Sequence, residues 1–344
     1  TFGSGLCTPW FWRPSRLDPE ARRDLPDRDQ QQLLRFLGVD SITAWEQNWR
    51  DSGLLEQTLE LWPAGASPDW LWSIGLPLLT QAGRPSGARR LIGLSALPGC
   101  GKTTLGHWLE RAAACLDLPL QVVSIDDFYF EAQRLEQAMQ GNPWQVPRAL
   151  PGSHDIPLLE TTLKRWLAGD AVDLPCFDKS LRQGRGDRSG WRPCSAEVLV
   201  FEGWFVGCEP LAPGESLGLG ADHLLPPISP EELEARQQVQ VALGSYQPIW
   251  SLLHSIWQIR AQDLGSSQRW KQQQEAQMLR DRGVALDAAS LQGFVRMILT
   301  AIPAESFQRI KAEVCFEVDP DRRLRRIRTR DQRQDALSSV SLTG

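Results

Sequence analysis

An α/β fold, with a five-stranded parallel sheet flanked by helices and a helical extension at the N-terminus, is predicted by three observations. From Arg90 onward, short apolar runs alternate with helical patterns, the signature of parallel strands joined by crossover helices. The first of these runs, Leu91 to Ser95, ends in the glycine-rich turn A-L-P-G-C-G-K-T-T and leads straight into a helical pattern. Before Arg90 the chain is helical and rich in tryptophan, with none of that alternation.

In residues 1–88, Leu33, Leu34, Phe36 and Leu37 make one helical face, and Leu54, Leu55, Leu59 and Leu61 make another. The stretch P-A-G-A-S-P at 63–68 breaks the pattern, and G-R-P-S-G-A-R-R at 83–90 reads as a linker. The following strand, turn and helix (Lys102 to about Ala114) match the strand–loop–helix that binds polyphosphate, which places the chain in the P-loop NTPase fold class. Backbone N–H groups of Gly99, Cys100, Gly101 and Lys102 and the positive helix end form the cradle, with Ala96, Pro98, Thr103 and Thr104 completing the nucleotide-binding stretch. The Lys102 ammonium bridges the outer phosphates and the Thr103 hydroxyl ligates Mg²⁺, so ATP and Mg²⁺ are the expected cofactors. Ala96 stands where the motif usually carries its first glycine. The remaining boundaries are a P-loop domain over 89–333 and a disordered tail over 334–344.

The second strand, 120–125, ends in D-D-F-Y, and the third, 197–201, ends at Glu202. Further strands are expected at 255–260 and 312–318, and helices at 131–140, 156–168, 231–242, 268–280 and 287–300. In open α/β sheets ligands bind beyond the carboxyl ends of the strands, so acids placed there carry chemistry as well as helix capping. A carboxylate of Asp126 or Asp127 would accept a proton from an attacking hydroxyl, and Glu202 would organise Mg²⁺ through water. Between them, Lys179, Arg182, Arg185, Arg188 and Arg192 crowd a glycine-containing loop expected to close over phosphates and neutralise charge in phosphoryl transfer. His154 and Asp155 follow P-G-S in a Gly/Pro-rich loop, where they would hold a hydroxyl or carboxylate or simply order the loop. The arginine-rich stretch from Asp321 to Arg333 is read as a solvated edge.

A net charge of −5 gives no overall footprint for nucleic acid, and no apolar run approaches a membrane span. The N-terminal residues lack a basic segment followed by a long apolar core, which speaks against a signal peptide. Seven cysteines without a C-x-x-C pair suit free thiols in a reducing compartment, so a cytoplasmic protein is expected, as a monomer or small homo-oligomer.

At S-I-D-D-F-Y the chain resembles the small-molecule kinases grouped with uridine kinase, pantothenate kinase and phosphoribulokinase. P-G-S-H-D, P-C-F-D-K-S, G-R-G-D-R, F-E-G-W and R-W-K-Q-Q-Q-E-A-Q-M, in order over about 92–280, narrow this to a resemblance to D-glycerate 3-kinases of the plant and cyanobacterial type. The resemblance implies Asp126 as catalytic base, with Lys102, Arg185 and Arg188 assisting transfer. It implies substrate contacts from Asp127, Tyr129, His154, Asp155, Asp178 and Lys179, and Phe177 stands where Tyr is expected. It implies D-glycerate as acceptor and 3-phosphoglycerate as product, in photorespiratory salvage. A uridine- or pantothenate-type kinase, a nucleotide-dependent switch ATPase and a non-catalytic binding module are the alternatives.

Overall fold

The structure, a computed structural model, describes residue 25, residues 27–282 and residues 286–330. The expectations about the first residues and about the tail from 334 lie outside the described residues.

Among the described residues five helices precede the sheet: α1 (Asp27–Phe36), α2 (Ile42–Asp51), α3 (Leu54–Glu60), α4 (Pro68–Trp70) and α5 (Leu76–Ala82). Helices α4 and α5 join through a π-helical turn at Leu71–Gly75, and Pro68 opens α4 behind the Ser67 cap, where a missing N–H costs nothing. Leu33, Leu34, Leu55 and Leu59 are buried and belong to the same apolar core as the sheet. Trp108, fully buried, donates to the Thr58 carbonyl at 3.0 Å and meets the Trp62 ring edge-on at 4.9 Å. Glycine at position 75 makes that fit possible, since a Cβ there would lie 2.5 Å from the Trp108 ring. Of the described tryptophans, all but Trp191 are buried, which makes packing their common role.

The strands and helices that follow are β1 (Arg90–Ala96), α6 (Lys102–Cys115), β2 (Leu120–Ser124), α7 (Ala132–Met139), α8 (Ile156–Leu167), β3 (Val172–Asp178), β4 (Asp187–Cys194) and β5 (Val198–Gly203). Then come α9 (Pro230–Gly244), α10 (Gln247–Trp250), β6 (Ser255–Ala261), α11 (Ser266–Arg282), α12 (Ala288–Thr300), α13 (Ala304–Gln308), β7 (Val314–Val318) and β8 (Leu324–Thr329). The main sheet runs β2-β5-β1-β6-β7-β8, parallel except for the last pair. Its central strands are apolar on both faces, as helices on both sides require; β5 is buried throughout.

The count departs from the expected five parallel strands in two places. β8, drawn from the arginine-rich stretch, adds a sixth strand antiparallel to β7. Leu324, Ile327 and Thr329 face inward, while Arg325 pairs with Asp319 at 2.6 Å and Arg328 with Glu317 at 2.9 Å. The dense arginines and a register shift at Glu317/Val318 mask the alternation that would mark a strand. The basic loop, read as irregular, is carried by an antiparallel hairpin of β3 and β4 with a bulge at Cys176/Phe177. Pro175, Gly190 and Pro193 had hidden it, because such residues ordinarily argue against strands.

Candidate active site

The carboxyl ends of β1, β2 and β5 converge on one cleft. Strand pairing puts Glu202 beside both Leu94 of β1 and Ser124 of β2, so the acid borders the phosphate loop and the D-D turn together. Gly99 and Gly101 hold φ of +76° and +119°, left-handed values that glycine adopts without a Cβ clash. A Cβ on Gly99 would also sit 2.8 Å from the Trp270 Cβ, so the loop packs directly on α11. Lys102 starts α6 largely buried, its Nζ donating to the carbonyls of Ala96 at 2.6 Å and Leu97 at 3.3 Å. Thr103 and Thr104 are exposed at the N-terminus of α6, where unpaired N–H groups and the helix dipole favour phosphate. Ala96 and Cys100 are buried beneath the loop, Pro98 lies half-buried beside it, and burial pushes the Cys100 thiol up to about 12.

Arg322, from the stretch read as a solvated edge, reaches back to this loop. Its Nε donates to the Gly99 carbonyl at 3.1 Å and its guanidinium lies over the Trp270 ring. Trp70 of α4 in turn donates to the Arg322 carbonyl at 2.8 Å, so the N-terminal helices brace the phosphate loop through the β7–β8 turn.

After β2 the chain makes a 3₁₀ turn, Ile125–Phe128, closed by reciprocal bonds between Ser124 and Asp127. Asp127 Oδ2 accepts from the Ser124 N–H at 3.0 Å and Oδ1 from the Phe177 N–H at 3.3 Å. Asp127, expected to touch substrate, instead fastens the turn to β3, and burial raises its carboxyl to about 6. Asp126 faces the other way, with 24% of its side chain exposed. Its Oδ2 accepts from Lys179 Nζ at 2.6 Å and its Oδ1 from the Tyr129 hydroxyl at 2.7 Å. Burial would raise this carboxyl, but the Lys179 charge, helped by His154, holds it well below the usual carboxylate range. Glu202 is buried, and burial pushes its carboxyl up while the Lys102 charge pulls it down.

The other expected contacts divide. Tyr129 is buried against Phe177, whose ring also packs on Gly186 and so occupies its place by packing alone. His154 is buried behind Asp126 rather than lining the cleft, with its Nε2 4.0 Å from Asp126 Oδ1. Asp155 caps α8 by accepting from the Leu158 N–H at 3.2 Å, and Asp178 accepts from the Ser180 N–H and hydroxyl in the hairpin turn. Arg182 and Arg185 both pair with Glu136 of α7, and Arg188 pairs with Glu131 and donates to the Tyr129 carbonyl. These arginines tie the hairpin to α7 instead of pointing at the phosphate loop. Lys179 is the cation of that loop which reaches Asp126.

Two cations were not singled out from the sequence. Arg148 holds the hairpin tip through the carbonyls of Gly184 and Arg185. Lys271 of α11, half-buried beside the loop's packing partner Trp270, pairs with Glu275 at 2.6 Å. Burial lowers its ammonium, and the charges of Lys179 and Arg148 lower it further against the pull of Glu275. The R-W-K-Q-Q-Q-E run marks this helix, but only the fold buries Lys271 beside the Glu275 carboxylate.

No protein-family model matches the chain, but individual relatives do. A Schizosaccharomyces pombe protein named uncharacterized kinase mug58 is 32% identical over 219 residues, covering 58% of this chain and 75% of that protein. The chloroplastic D-glycerate 3-kinase of Arabidopsis thaliana is 32% identical over 245 residues, 67% of this chain. The chain belongs to the glycerate 3-kinase-like P-loop kinases. It is therefore a phosphotransferase. The solved structure of D-glycerate 3-kinase from Cryptococcus neoformans shares the kinase fold at a TM-score of 0.61 and 22% identity, over 74% of this chain and 96% of that one. The matched part spans about half of the Arabidopsis enzyme, 51% of its length. Among the described residues no helix is long and apolar enough to cross a membrane.

Proposed function

We propose that this kinase transfers the γ-phosphoryl group of ATP to the 3-hydroxyl of D-glycerate, forming 3-phosphoglycerate, with Asp126 as general base. The observation that carries the reading is Asp126 at the end of β2, its Oδ2 held by Lys179 at 2.6 Å and its strand paired beside Glu202 and the phosphate-loop strand. Lys179 is the cation placed to meet an acceptor's carboxylate there, and the likeness to the Arabidopsis D-glycerate 3-kinase supports glycerate as that acceptor.

The residues fit a magnesium nucleotide. Gly99 and Gly101 leave the loop backbone open, the Thr103 hydroxyl is exposed at the helix end, and Glu202 stands behind it at the end of β5. Among the described residues no cluster of three or more His, Cys, Asp and Glu side chains forms a ready metal cage, in keeping with an ion held by one or two side chains, water and phosphate. Mg²⁺ held by Thr103 and, through water, by Glu202 would neutralise phosphate charge. Lys102, fixed on two loop carbonyls, sits where it would transfer its hydrogen bonds to the outer phosphates. Asp126 Oδ2 orients the acceptor hydroxyl and takes its proton. A strong base is unnecessary, because phosphoryl transfer proceeds through a loose transition state in which proton removal comes late.

The test is ATP consumption with D-glycerate, uridine, pantothenate and no acceptor in parallel, with the product identified. Turnover with D-glycerate giving 3-phosphoglycerate is the expected result. Turnover with another acceptor only would overturn the substrate, and hydrolysis without acceptor would favour a switch ATPase. In the same assay Lys179→Gln is expected to raise the KM for D-glycerate by about 10-fold, the scale of one charge-assisted contact, while leaving the KM for ATP within about twofold.

A further inference from the structure

We propose that Tyr246 and His154 form a buried positioning pair that presents one oxygen of Asp126 to the acceptor; this rests on the reading of Asp126 as the base. The His154 side chain has no solvent exposure. Its ring stacks on Tyr129 at 4.5 Å and meets Tyr246 edge-on at 5.8 Å. The hydrogen bonds around it define its tautomer. Tyr246 Oη accepts from the Gly152 N–H at 2.9 Å, which leaves the single hydroxyl proton to donate. The His154 Nδ1 lies 2.7 Å from that hydroxyl. Ser153 Oγ, 3.5 Å from Nδ1, gives its proton to the Leu150 carbonyl at 2.5 Å. Nδ1 is therefore the acceptor, and the ring proton sits on Nε2.

That Nε2 is buried and makes no hydrogen bond, and it points at Asp126 Oδ1 across 4.0 Å. Oδ1 already accepts from Tyr129. One hydrogen-bonded hydroxyl and one N–H dipole, both neutral, thus face Oδ1 from the interior, while Oδ2 is turned to Lys179 and the cleft. Neutral donors fix the carboxylate's orientation without cancelling the charge that makes it a base. His154 stays neutral because burial lowers its pKa more than Asp126 raises it. The titratable groups facing this pair are Asp126, Tyr129 and Lys179, and Asp127 and Glu202 flank Asp126.

The experiment compares the wild type with His154→Phe, His154→Gln, Tyr246→Phe and Asp126→Asn in the full chain. It reads kcat, KM for each substrate, the acid limb of the kcat–pH profile and Tm, using whichever acceptor turns over. His154→Phe is expected to lower kcat by about 10-fold or more with the KM for ATP unchanged. Loss of the N–H dipole aimed at the carboxylate raises its pKa, so the acid limb moves to higher pH. His154→Gln keeps an N–H and is expected to restore most of kcat. Tyr246→Phe moves kcat and the limb in the same direction and decides the matter if His154→Phe does not fold. A kcat and acid limb within about twofold and a few tenths of a unit of wild type in these variants, or a fall in Tm and kcat without a limb shift, overturns the positioning role. If Asp126→Asn itself keeps its rate, the base reading fails instead.

Discussion

Asp126→Asn is expected to cut kcat by about 10²-fold or more while nucleotide binding persists. The asparagine keeps the shape of the side chain and an oxygen for the Tyr129 hydroxyl, but it cannot take a proton and it loses the charge that holds Lys179. Nucleotide affinity is spared because Asp126 touches the D-D turn, the hairpin and His154, not the phosphate loop. Burial raises the wild-type carboxyl, yet the Lys179 charge, helped by His154, outweighs it, so Asp126 stays ionised until the pH falls below the usual carboxylate range. The stability drawn from the Asp126–Lys179 pair follows the same sign: it is present above the unfolded carboxyl's pKa and is lost as pH falls through the depressed one. Steady-state kinetics with a nucleotide-binding titration check the claim. A near-normal rate in the variant would show that another group takes the proton.

Lys102→Ala is expected to reduce turnover by about 10³-fold, at the upper end of losses seen when one preorganised cationic or hydrogen-bond donor is removed from a transition state. Lys102 is 8% exposed, and its ammonium already rests on the carbonyls of Ala96 and Leu97, so its charge is held at the loop in advance of the phosphates. Truncation leaves those two carbonyls without a side-chain donor. A modest fall in Tm therefore accompanies the kinetic loss, and comparing Tm with kcat separates the two. A variant that lost activity only in proportion to its folded fraction would deny Lys102 a direct role in transfer.

Most of what positions the chemistry is local, and for that reason it could be read from the residues. A strand followed by P-G-C-G-K-T and a helical pattern places Lys102 and Thr103 at a helix N-terminus, whatever surrounds them. Asp126 and Glu202 were found because each ends an apolar run, and parallel strands deliver their ends to one side of the sheet. The paired acids show where this reasoning stops. Asp126 and Asp127 are adjacent and chemically alike, yet one faces Lys179 and the cleft while the other bonds Ser124 and Phe177. The direction of a side chain in a one-turn 3₁₀ segment depends on its partners.

The same holds for the basic loop. Its charge was evident, but Glu136 and Glu131 on α7, far away in the chain, claim Arg182, Arg185 and Arg188. Composition reports charge without reporting its neutralisation. β8 and the β3–β4 hairpin escaped because arginine, proline and glycine blur a period of two, and strand pairing alone defines them. By itself the sequence determined the α/β class, the phosphate loop and the acids at the ends of β2 and β5, because hydrophobic period and turn chemistry act between near neighbours. The tertiary structure alone decided that Lys179 pairs with Asp126 while Arg148 holds the hairpin tip, that Arg322 braces Gly99, and that His154 stands behind Asp126 rather than in the cleft. Each of these joins segments tens to hundreds of residues apart, and only packing sets which side chains meet.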